Sequence, residues 1–378
     1  MTVVSPPRSC ASCDETGCAM NRRHGIAEPP ATRTSYVLDD VWPEYASIVA
    51  ATRRPGDQLL APGIWGPRPA RYLWPNAQHK ARRATAHRHY AMRKVAGASG
   101  SVRQRTYLKH DRAVARALAR AIDFRAGHLV IALAWLPWLD EAGALGGRSF
   151  DVLMNRYPFA EIHQRLDIAA AGFGASATIG DFRAGPKLVD REMALLARAR
   201  RIITPHHGIA GLFPDQTVRL AWHRPTPPAQ HCPGHRVAFL GPTIARERPD
   251  LVRALAGSLE QPLVVFGDML ERPDYWDGIA IERRAFGPGW LDGIGAIIHP
   301  ATMTSQPRRL LQAIASGVRI YATDGSGLDS ADYSPLCQFD DQAGAVAVKP
   351  PEIPGAGIPA PPRRDFPTFG ERSRSGAR

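Results

Sequence analysis

One stretch of the sequence decides the fold, and it runs Ala296-Ile-Ile-His-Pro-Ala-Thr-Met-Thr-Ser-Gln-Pro-Arg-Arg-Leu-Leu-Gln-Ala-Ile-Ala-Ser-Gly-Val-Arg-Ile-Tyr-Ala-Thr323. It begins with a short apolar segment that is typical of a buried strand. A polar loop follows, and then a helix that Pro307 opens and Gly317 stops. A second apolar segment comes directly after Gly317. Strand, helix and strand at this spacing predict a βαβ unit, and therefore a parallel sheet.

The start of the predicted helix carries two adjacent cations, Arg308 and Arg309. Cations are locally unfavourable there, because the amino end of a helix carries a partial positive charge. A bound anion would reverse that effect, and the hydroxyls of Thr304 and Ser305 together with free backbone N–H groups would complete a phosphate or pyrophosphate pocket. The alternative is that both arginines point back into solvent and only cover the loop.

This arrangement of residues resembles a known enzyme family. The strand, His299-Pro300, the loop and Arg309-Leu-Leu-Gln-Ala-Ile-Ala-Ser-Gly317 together look like the donor-nucleotide half of a group 1 (GT-B, family 4-like) glycosyltransferase. Where that family has two glutamates eight residues apart, this chain has Thr304 and Gln312. The carboxylates that contact the donor sugar or its ribose in the family are therefore replaced.

The resemblance implies an α/β fold of two Rossmann-like doubly wound domains that face a cleft. It also implies that the second domain binds a nucleotide-diphosphate sugar as donor substrate. Arg246 and Arg248, in the turn after the first strand of that domain, are the nearest equivalents of the family's diphosphate-binding cations. The full set of expected donor-binding residues is Gly241, Arg246, Arg248, Gly267, Thr304, Ser305, Arg308, Arg309 and Gln312.

The chain has 378 residues, of which 44% are apolar, and this is enough for two domains with cores of their own. A proline-rich break suggests where they join. We expect a Cys-rich arm at residues 1–33, an acceptor domain at 34–222, a linker at 223–235, a nucleotide-sugar domain at 236–348 and a disordered tail rich in Pro, Gly and Arg at 349–378.

Regular alternation of strands and helices predicts a doubly wound domain between residues 127 and 221. One of its strands is expected at Ala177–Ile179. Residues just beyond the carboxyl ends of parallel strands line a cleft, and this rule nominates Asp140, Asn155, Arg156, Asp181, Arg183, His206 and His207. Each of these residue types is also common in caps and turns.

The net charge of +13 comes from one region. Between Arg68 and Arg125 there are fifteen Lys or Arg and two acids, a surplus equal to that of the whole chain. Two basic helices are predicted here, at 75–96 and 103–123. The second has an apolar face and one continuous cationic stripe, formed by Arg105, Lys109, Arg112, Arg116 and Arg120.

A stripe of this kind is often only a solvated face. However, the sequence around it offers no acids to relieve repulsion between like charges. We therefore expect a polyanionic partner: anionic lipid headgroups, a pyrophosphate-linked lipid acceptor or, as a further alternative, nucleic acid.

Cys10, Cys13 and Cys18 are followed closely by His24. Three thiolates and an imidazole predict a metal site, either tetrahedral zinc or an iron–sulfur cluster with Cys232 or a substrate as the fourth ligand. Free thiols on a proline-flanked arm are the alternative. The longest apolar run is interrupted by Pro137 and too short to cross a bilayer, and no secretory signal is apparent. We expect a cytoplasmic protein, or one peripheral at the inner face of the membrane.

The most economical function is glycosyl transfer, with Arg246, Arg248, Arg308 and Arg309 neutralising the departing diphosphate. The resemblance implies that a retaining enzyme needs no strong protein base. For an inverting reaction, Asp140, Asp181 or His206 is the candidate base. The alternatives are a catalytically degenerate protein that binds nucleic acid or another anionic partner, and a metal-dependent enzyme on the same scaffold.

Overall fold

A computed structural model describes residues 33–65, 72–174, 176, 178–227, 234–339 and 346–348. Two parallel sheets organise these residues, one from each half of the chain. The predicted fold class, α/β with two doubly wound parallel-sheet domains, is confirmed. Among the described residues, no helix combines the length and the apolar character needed to cross a membrane.

The first sheet has seven strands in the order β3-β2-β1-β4-β5-β6-β7, and each neighbouring pair is parallel. Its elements are β1 Arg33–Val37, α1 Pro43–Thr52, β2 Gln58–Pro62, β3 Gln78–Lys80, α2 Arg82–Lys94, α3 Gly100–Ala119, β4 Ala126–Ala132, α4 Leu136–Glu141, β5 Ser149–Leu153, α5 Phe159–Phe173, α6 Pro186–Arg198, β6 Arg201–Thr204, α7 His207–Leu212 and β7 Thr217–Arg219.

The second sheet has six parallel strands in the order β10-β9-β8-β11-β12-β13. Its elements are β8 Arg236–Phe239, a short 3-10 helix Ala245–Glu247, α8 Pro249–Ala256, β9 Leu263–Phe266, β10 Ile281–Arg284, β11 Ile294–His299, α9 Arg308–Ala315, β12 Arg319–Ala322 and β13 Ser334–Pro335. A separate antiparallel pair follows, β14 Cys337–Phe339 and β15 Val346–Val348.

The unit predicted from the opening stretch is present. β11 and β12 are parallel neighbours, with Ala296 opposite Arg319 and Ile298 opposite Tyr321, and α9 connects them. Gly317 follows α9 with a φ of +77°, a conformation that glycine adopts without strain. The helix therefore ends where the sequence predicts.

Alternation of side chains along each strand builds cores on both faces of the sheets. In β4, Leu129 and Ile131 pack into one apolar cluster while Val130 packs into another. The second cluster also includes Ile297 and Ile320 of the other sheet, joined through residues such as Trp222. The two halves of the chain therefore share apolar contact.

Two predicted elements differ in the structure. The helix expected at 75–96 is confined to α2, because Asn76 and Ala81 have positive φ and the residues between them pair with β2 as an edge strand. Of the strand expected at Ala177–Ile179, the structure describes Thr178 and Ile179, and neither is in a strand. The Oγ of Ser176 accepts the N–H groups of Thr178 and Ile179, which forms a turn in place of a strand.

Candidate active site

The carboxyl edges of the two sheets face each other. His206 follows β6 in the first half, and its Nε2 lies 3.0 Å from the carbonyl oxygen of Thr304, which follows β11 in the second half. The backbone N–H of His207 donates to the carbonyl of Gly327, beyond β12. The strand order reverses between β1 and β4 in the first sheet and between β8 and β11 in the second. Ligands of doubly wound domains bind at such reversal points.

Arg308 joins the two halves and does not point into a phosphate pocket. Its two terminal nitrogens donate to both carboxylate oxygens of Glu44 in α1, at 2.7 and 2.6 Å. The guanidinium lies between the rings of Trp42 and Trp222, at 5.5 and 5.6 Å from their centroids. From the sequence we expected Arg308 either to contact a phosphate or to point into solvent. In the structure it pairs with Glu44 instead.

Glu44 is buried, and its side chain is 1% exposed. Burial acts to raise the pKa of this carboxyl group, but the hydrogen bonds from Arg308 and from the backbone N–H of His223 outweigh it and lower the pKa. Glu44 is therefore a carboxylate at neutral pH. We call Glu44, Arg308, Trp42 and Trp222 the clasp.

Arg309, the next residue, has a different environment. Its guanidinium lies 3.8 Å from the ring centroid of Phe286 and 5.5 Å from that of Trp290. No carboxylate of the described residues pairs with it. Trp290 also donates through Nε1 to Oε1 of Gln312 at 3.2 Å, so this amide helps to hold the Trp290 ring in place. Arg309 is thus the exposed cation at the start of α9.

The loop before α9 is held by polar contacts within the protein. The Oγ1 of Thr304 lies 2.7 Å from Nε2 of His299, and its backbone N–H donates to Gly325. Ser305, beside it, is exposed.

The other ring nitrogen of His299, Nδ1, is buried and has no hydrogen-bond partner in the described structure. Burial and the nearby Arg246 lower the pKa of His299 to about 4, so the ring is neutral.

Arg246 and Arg248 have separate environments although they are two residues apart. Arg246 lies over the ring of Phe182 from the first half, at 4.7 Å, and pairs with Glu247 at 3.3 Å. Arg248 is buried and makes a bidentate pair with Asp250 at 2.7 to 3.2 Å. Arg246 also lies close enough to His299, at the end of β11, to lower the pKa of that ring.

Gly241 and Gly267 permit close backbone contact between the ends of β8 and β9. A Cβ on Gly241, which has a φ of +42°, would lie 2.1 Å from the carbonyl oxygen of Phe266. A Cβ on Gly267 would lie 3.1 Å from Pro242. Packing between neighbouring turns is sufficient to explain both glycines.

Asp140 lies away from the facing edges. It pairs with Arg198 at 3.9 Å, and Arg198 is the last residue of α6, beside the amino end of β6. The sequence placed Asp140 in the cleft because it follows β4, but α4 turns back along the sheet before the chain reaches it.

The other two candidate bases take part in local structure. One oxygen of Asp181 accepts from Arg103 at 3.1 Å, and the other, Oδ1, lies against Gly100 and is buried with no hydrogen-bond partner in the described structure. Both ring nitrogens of His206 are engaged, since Nδ1 accepts from Ile209 while Nε2 donates to Thr304. Burial lowers the pKa of His206 to about 3 and raises that of Asp181.

Glu271 is a contact between the halves that the sequence did not reveal. Its carboxylate accepts from the hydroxyls of Ser176 and Thr178 in the first half and from the backbone N–H of Ala245 in the second, the last at 2.8 Å. In the sequence Glu271 is an ordinary acidic residue of a loop, and nothing there predicts a contact between the two halves. His299, by contrast, stands at a strand end in the opening stretch and was detectable there.

The cationic stripe of α3 is partly neutralised. Glu141 of α4 accepts from Arg112 at 2.7 Å and from Arg116 at 2.5 Å. Although burial acts to raise the pKa of Glu141, these two arginines lower it. The acid that relieves the repulsion comes from another helix, which is why inspection of α3 alone did not find it. Arg105, Lys109 and Arg120 are exposed and make no ion pair with a described residue.

The predicted metal ligands Cys10, Cys13, Cys18 and His24 lie outside the described residues. Within the described ranges, no group of three or more His, Cys, Asp or Glu side chains is arranged to hold a metal ion.

The sequence matches no protein-family model and no curated protein. Solved structures with a similar chain path include the apo form of the lipopolysaccharide outer core galactosyltransferase WaaB, at 10% identity over 80% of this chain and 84% of that one, with a TM-score of 0.42. LpCGTa in complex with UDP has 11% identity, covers 78% of this chain and 80% of its own, and gives a TM-score of 0.38. CalG4, the calicheamicin glycosyltransferase, has 14% identity over 81% and 82%, with a TM-score of 0.34.

Proposed function

We propose that this protein transfers a glycosyl group from a nucleotide-diphosphate sugar to an acceptor, with the donor held against the carboxyl edge of the second sheet. The sequence around α9 resembles the donor half of a family 4-like glycosyltransferase. The reversal points of both sheets open toward one another, where donor and acceptor could meet.

The observation that carries this proposal is the environment of Arg309. It is a cation in the first turn of α9, lies on the Phe286 and Trp290 rings, and has no acidic partner among the described residues. Partial burial against these rings lowers its pKa from the ordinary value. A diphosphate oxygen beside it would add a charge-assisted hydrogen bond and the attraction of the helix amino end.

Arg246 is the second group suited to a donor. Its Nε is buried and forms the ion pair with Glu247 at 3.3 Å, while Nδ1 of the neighbouring His299 is buried and has no hydrogen-bond partner in the described structure. Buried polar atoms are nearly always satisfied, so this ring nitrogen suits a polar ligand or water. In the proposed complex, Arg246 would face the diphosphate and the neutral His299 would accept a hydrogen bond from a hydroxyl group.

The proposed chemistry relies on stabilisation of the leaving group. The bond between the anomeric carbon and the diphosphate oxygen breaks, a bond from that carbon to the acceptor oxygen forms, and the acceptor proton passes to the departing phosphate. Arg246 and Arg309 would neutralise the charge that develops on the diphosphate. This route requires no protein base, in agreement with the hydrogen bonds that engage both ring nitrogens of His206.

The same occupied side chains favour a second candidate, a protein that binds a nucleotide but has lost catalysis. Asp140 pairs with Arg198, Asp181 contacts α3, and both nitrogens of His206 are hydrogen-bonded. The two candidates share the donor site and differ only in turnover.

Ligand-dependent thermal stabilisation tests the donor site. UDP-, GDP-, TDP- and ADP-sugars and the free diphosphates would be screened, and a ligand at about 100 times its Kd stabilises the folded state by about 2.7 kcal/mol, a shift of several degrees. Arg309→Ala should abolish the shift and Arg309→Lys should retain part of it, because lysine keeps the charge but not the planar fork. Lys187→Ala, an exposed cation of α6, is the matched control. Unchanged affinity in Arg309→Ala would refute this donor site.

Turnover separates the two candidates. The stabilising donor would be incubated with the protein and a panel of acceptors, and release of nucleoside diphosphate would be measured. Release that depends on acceptor supports transfer. Binding without release supports the binding protein.

A further inference from the structure

Ser149, His128 and Asp151 form a hydrogen-bonded chain at the amino edge of the first sheet. Oγ of Ser149 lies 2.9 Å from Nδ1 of His128. Nε2 of the same ring lies 3.3 Å from Oδ2 of Asp151. We call these three residues the β4/β5 triad. The sequence did not reveal it, because residues of β4 and β5 meet only in the sheet.

The strand register explains why these side chains meet. His128 of β4 is directly opposite Ser149 of β5. Successive side chains of a strand point to opposite faces, so Ser149 and Asp151, two residues apart, share one face. Val130, two positions after His128, packs into an apolar cluster that also includes Leu153. Leu153 is two positions after Asp151, so all three members of the triad lie on the same face of the sheet.

Asp151 is ionised, and this selects the tautomer of His128. The side chain of Asp151 is 5% exposed, and burial acts to raise its pKa, but hydrogen bonds from Arg200 and His128 outweigh burial and lower the pKa. A carboxylate only accepts hydrogen bonds, so the tautomer with hydrogen on Nε2 donates to Asp151. The other tautomer would place a lone pair against the carboxylate. The lone pair of Nδ1 therefore faces the hydroxyl of Ser149, from which it can take the proton.

Arg200 holds the carboxylate in place. Its Nε and Nη2 donate to the two oxygens of Asp151 at 2.9 and 2.7 Å, and Nη2 lies 3.3 Å from Nε2 of His128. The hydroxyl of Ser149 also lies 3.4 Å from the carbonyl oxygen of Gly127, a longer contact than the one to His128. The serine is thus within reach of a base that a third group orients, which is the arrangement of a nucleophilic triad.

Part of this cluster is exposed to solvent. Ser149 is partly exposed, and the side chain of Arg200 is 52% exposed. Arg201 is exposed and lies opposite Asp151 in the strand register, on the same face of the sheet. A positive charge on this face favours the negative oxygen that develops when a carbonyl carbon is attacked.

We propose that the β4/β5 triad is a second catalytic site, which hydrolyses acyl esters. The pair with Arg200 by itself neutralises the buried carboxylate, so charge balance does not require His128 and Ser149. The triad lies at the amino edge of the sheet, the length of β5 or about 17 Å from the carboxyl edge that faces the second sheet. Its activity therefore does not depend on the proposed donor site.

The reaction has two steps. Oγ of Ser149 forms a bond to the ester carbonyl carbon while His128 takes the hydroxyl proton, the bond from that carbon to the alcohol oxygen breaks, and His128 gives the proton to the departing alcohol. Water then attacks the acyl group on Ser149, with His128 taking a proton from the water and returning it to Oγ. The products are the alcohol and the carboxylic acid. Asp151 stabilises the imidazolium that forms in each step.

Covalent labelling tests the proposal with the full chain. A fluorophosphonate probe forms a bond from Oγ to phosphorus and releases fluoride, and peptide mass spectrometry identifies the labelled residue. We expect label on Ser149 of the wild-type protein, so this measurement needs no variant. Ser258, an exposed serine whose hydroxyl donates to the carbonyl of Leu255, should stay unlabelled. Absence of label on Ser149, or equal labelling of the two serines, would overturn the proposal.

Ester hydrolysis gives a second, kinetic test. Release of nitrophenol from p-nitrophenyl butyrate would be measured for variants that thermal melting shows to be folded. Ser149→Ala and His128→Gln should each lower kcat/KM at least about 100-fold, and Ser258→Ala, the matched control, should keep the wild-type rate. His128→Gln should also slow the labelling of Ser149, an effect that a histidine with only a structural role would not produce. Wild-type hydrolysis by Ser149→Ala, or labelling of His128→Gln at the wild-type rate, would contradict the assignment.

Discussion

Glu44 and Arg308, 264 residues apart, form a bidentate ion pair that joins the two halves of the protein. Each lies in the first turn of its helix, where Glu44 is favoured by the helix dipole and Arg308 is disfavoured. The carboxylate supplies the anion that the start of α9 needs. The same argument that predicted a phosphate beside Arg308 is therefore satisfied by a residue of the protein.

Loss of this pair should destabilise the protein. Arg308→Ala leaves Glu44 buried and unpaired, and we expect the free energy of unfolding to fall by about 3 kcal/mol in urea denaturation. Arg309→Ala, the adjacent control, loses only a cation–π contact and should cost about 1 kcal/mol or less. In a double-mutant cycle, Glu44→Gln and Arg308→Ala should be coupled by at least about 1 kcal/mol. Additive effects would show that the pair does not act as a unit.

The clasp should also make stability depend on acid pH. The pKa of Glu44 is lowered from 4.5 in the folded state. A group whose folded pKa is depressed stabilises the protein above its unfolded pKa, and this contribution is lost as the pH falls through the folded pKa. The difference in unfolding free energy between the wild type and Glu44→Gln should therefore be constant above about pH 5.5 and shrink below about pH 4.5. A difference that grows on acidification would contradict this assignment.

His206 should add a second pH dependence in a higher range. Its folded pKa of about 3 lies below the ordinary value of 6.5. Between these two pH values the unfolded chain binds a proton that the folded protein does not bind. Stability should fall as the pH drops below 6.5, by about 1.4 kcal/mol per pH unit for one histidine. His206→Gln should remove this contribution to the slope, which corresponds to the uptake of about one proton on unfolding.

Gly241 should resist substitution. An added Cβ meets the carbonyl oxygen of Phe266 at 2.1 Å, and a φ of +42° strains any side chain, so Gly241→Ala should cost about 3 kcal/mol. Gly257 is the matched control, because it has helical dihedral angles and nothing within 4 Å of an added Cβ. Gly257→Ala should be neutral or stabilise by up to about 1 kcal/mol. Thermal melting of both variants would check the contrast.

Local sequence was sufficient for most of the secondary structure. The alternation of apolar strands with helices bounded by Pro and Gly predicted two parallel sheets, because those patterns depend on nearest neighbours and on burial of one face. It was insufficient at 78–80, where three polar residues form an edge strand only because β2 offers them hydrogen bonds. It also failed at Thr178 and Ile179, whose N–H groups bond to the hydroxyl of Ser176.

The candidate site was less accessible to sequence reasoning. Arg308 and Arg309 are identical and adjacent, yet one is held by Glu44 and the other lies on Phe286 and Trp290. The same holds for α3, where Arg112 and Arg116 are neutralised by Glu141 while Lys109 is not. No local pattern distinguishes the members of these sets.

The sequence by itself determined the fold class, the position of the βαβ unit around α9 and the concentration of positive charge between Arg68 and Arg125. These features follow from periodicity, helix-end residues and composition. Only the tertiary structure decided which arginines are paired and which are exposed, because the partners come from segments far apart in the chain. Ionic and aromatic contacts act over a few ångströms in space, and sequence distance does not report that separation.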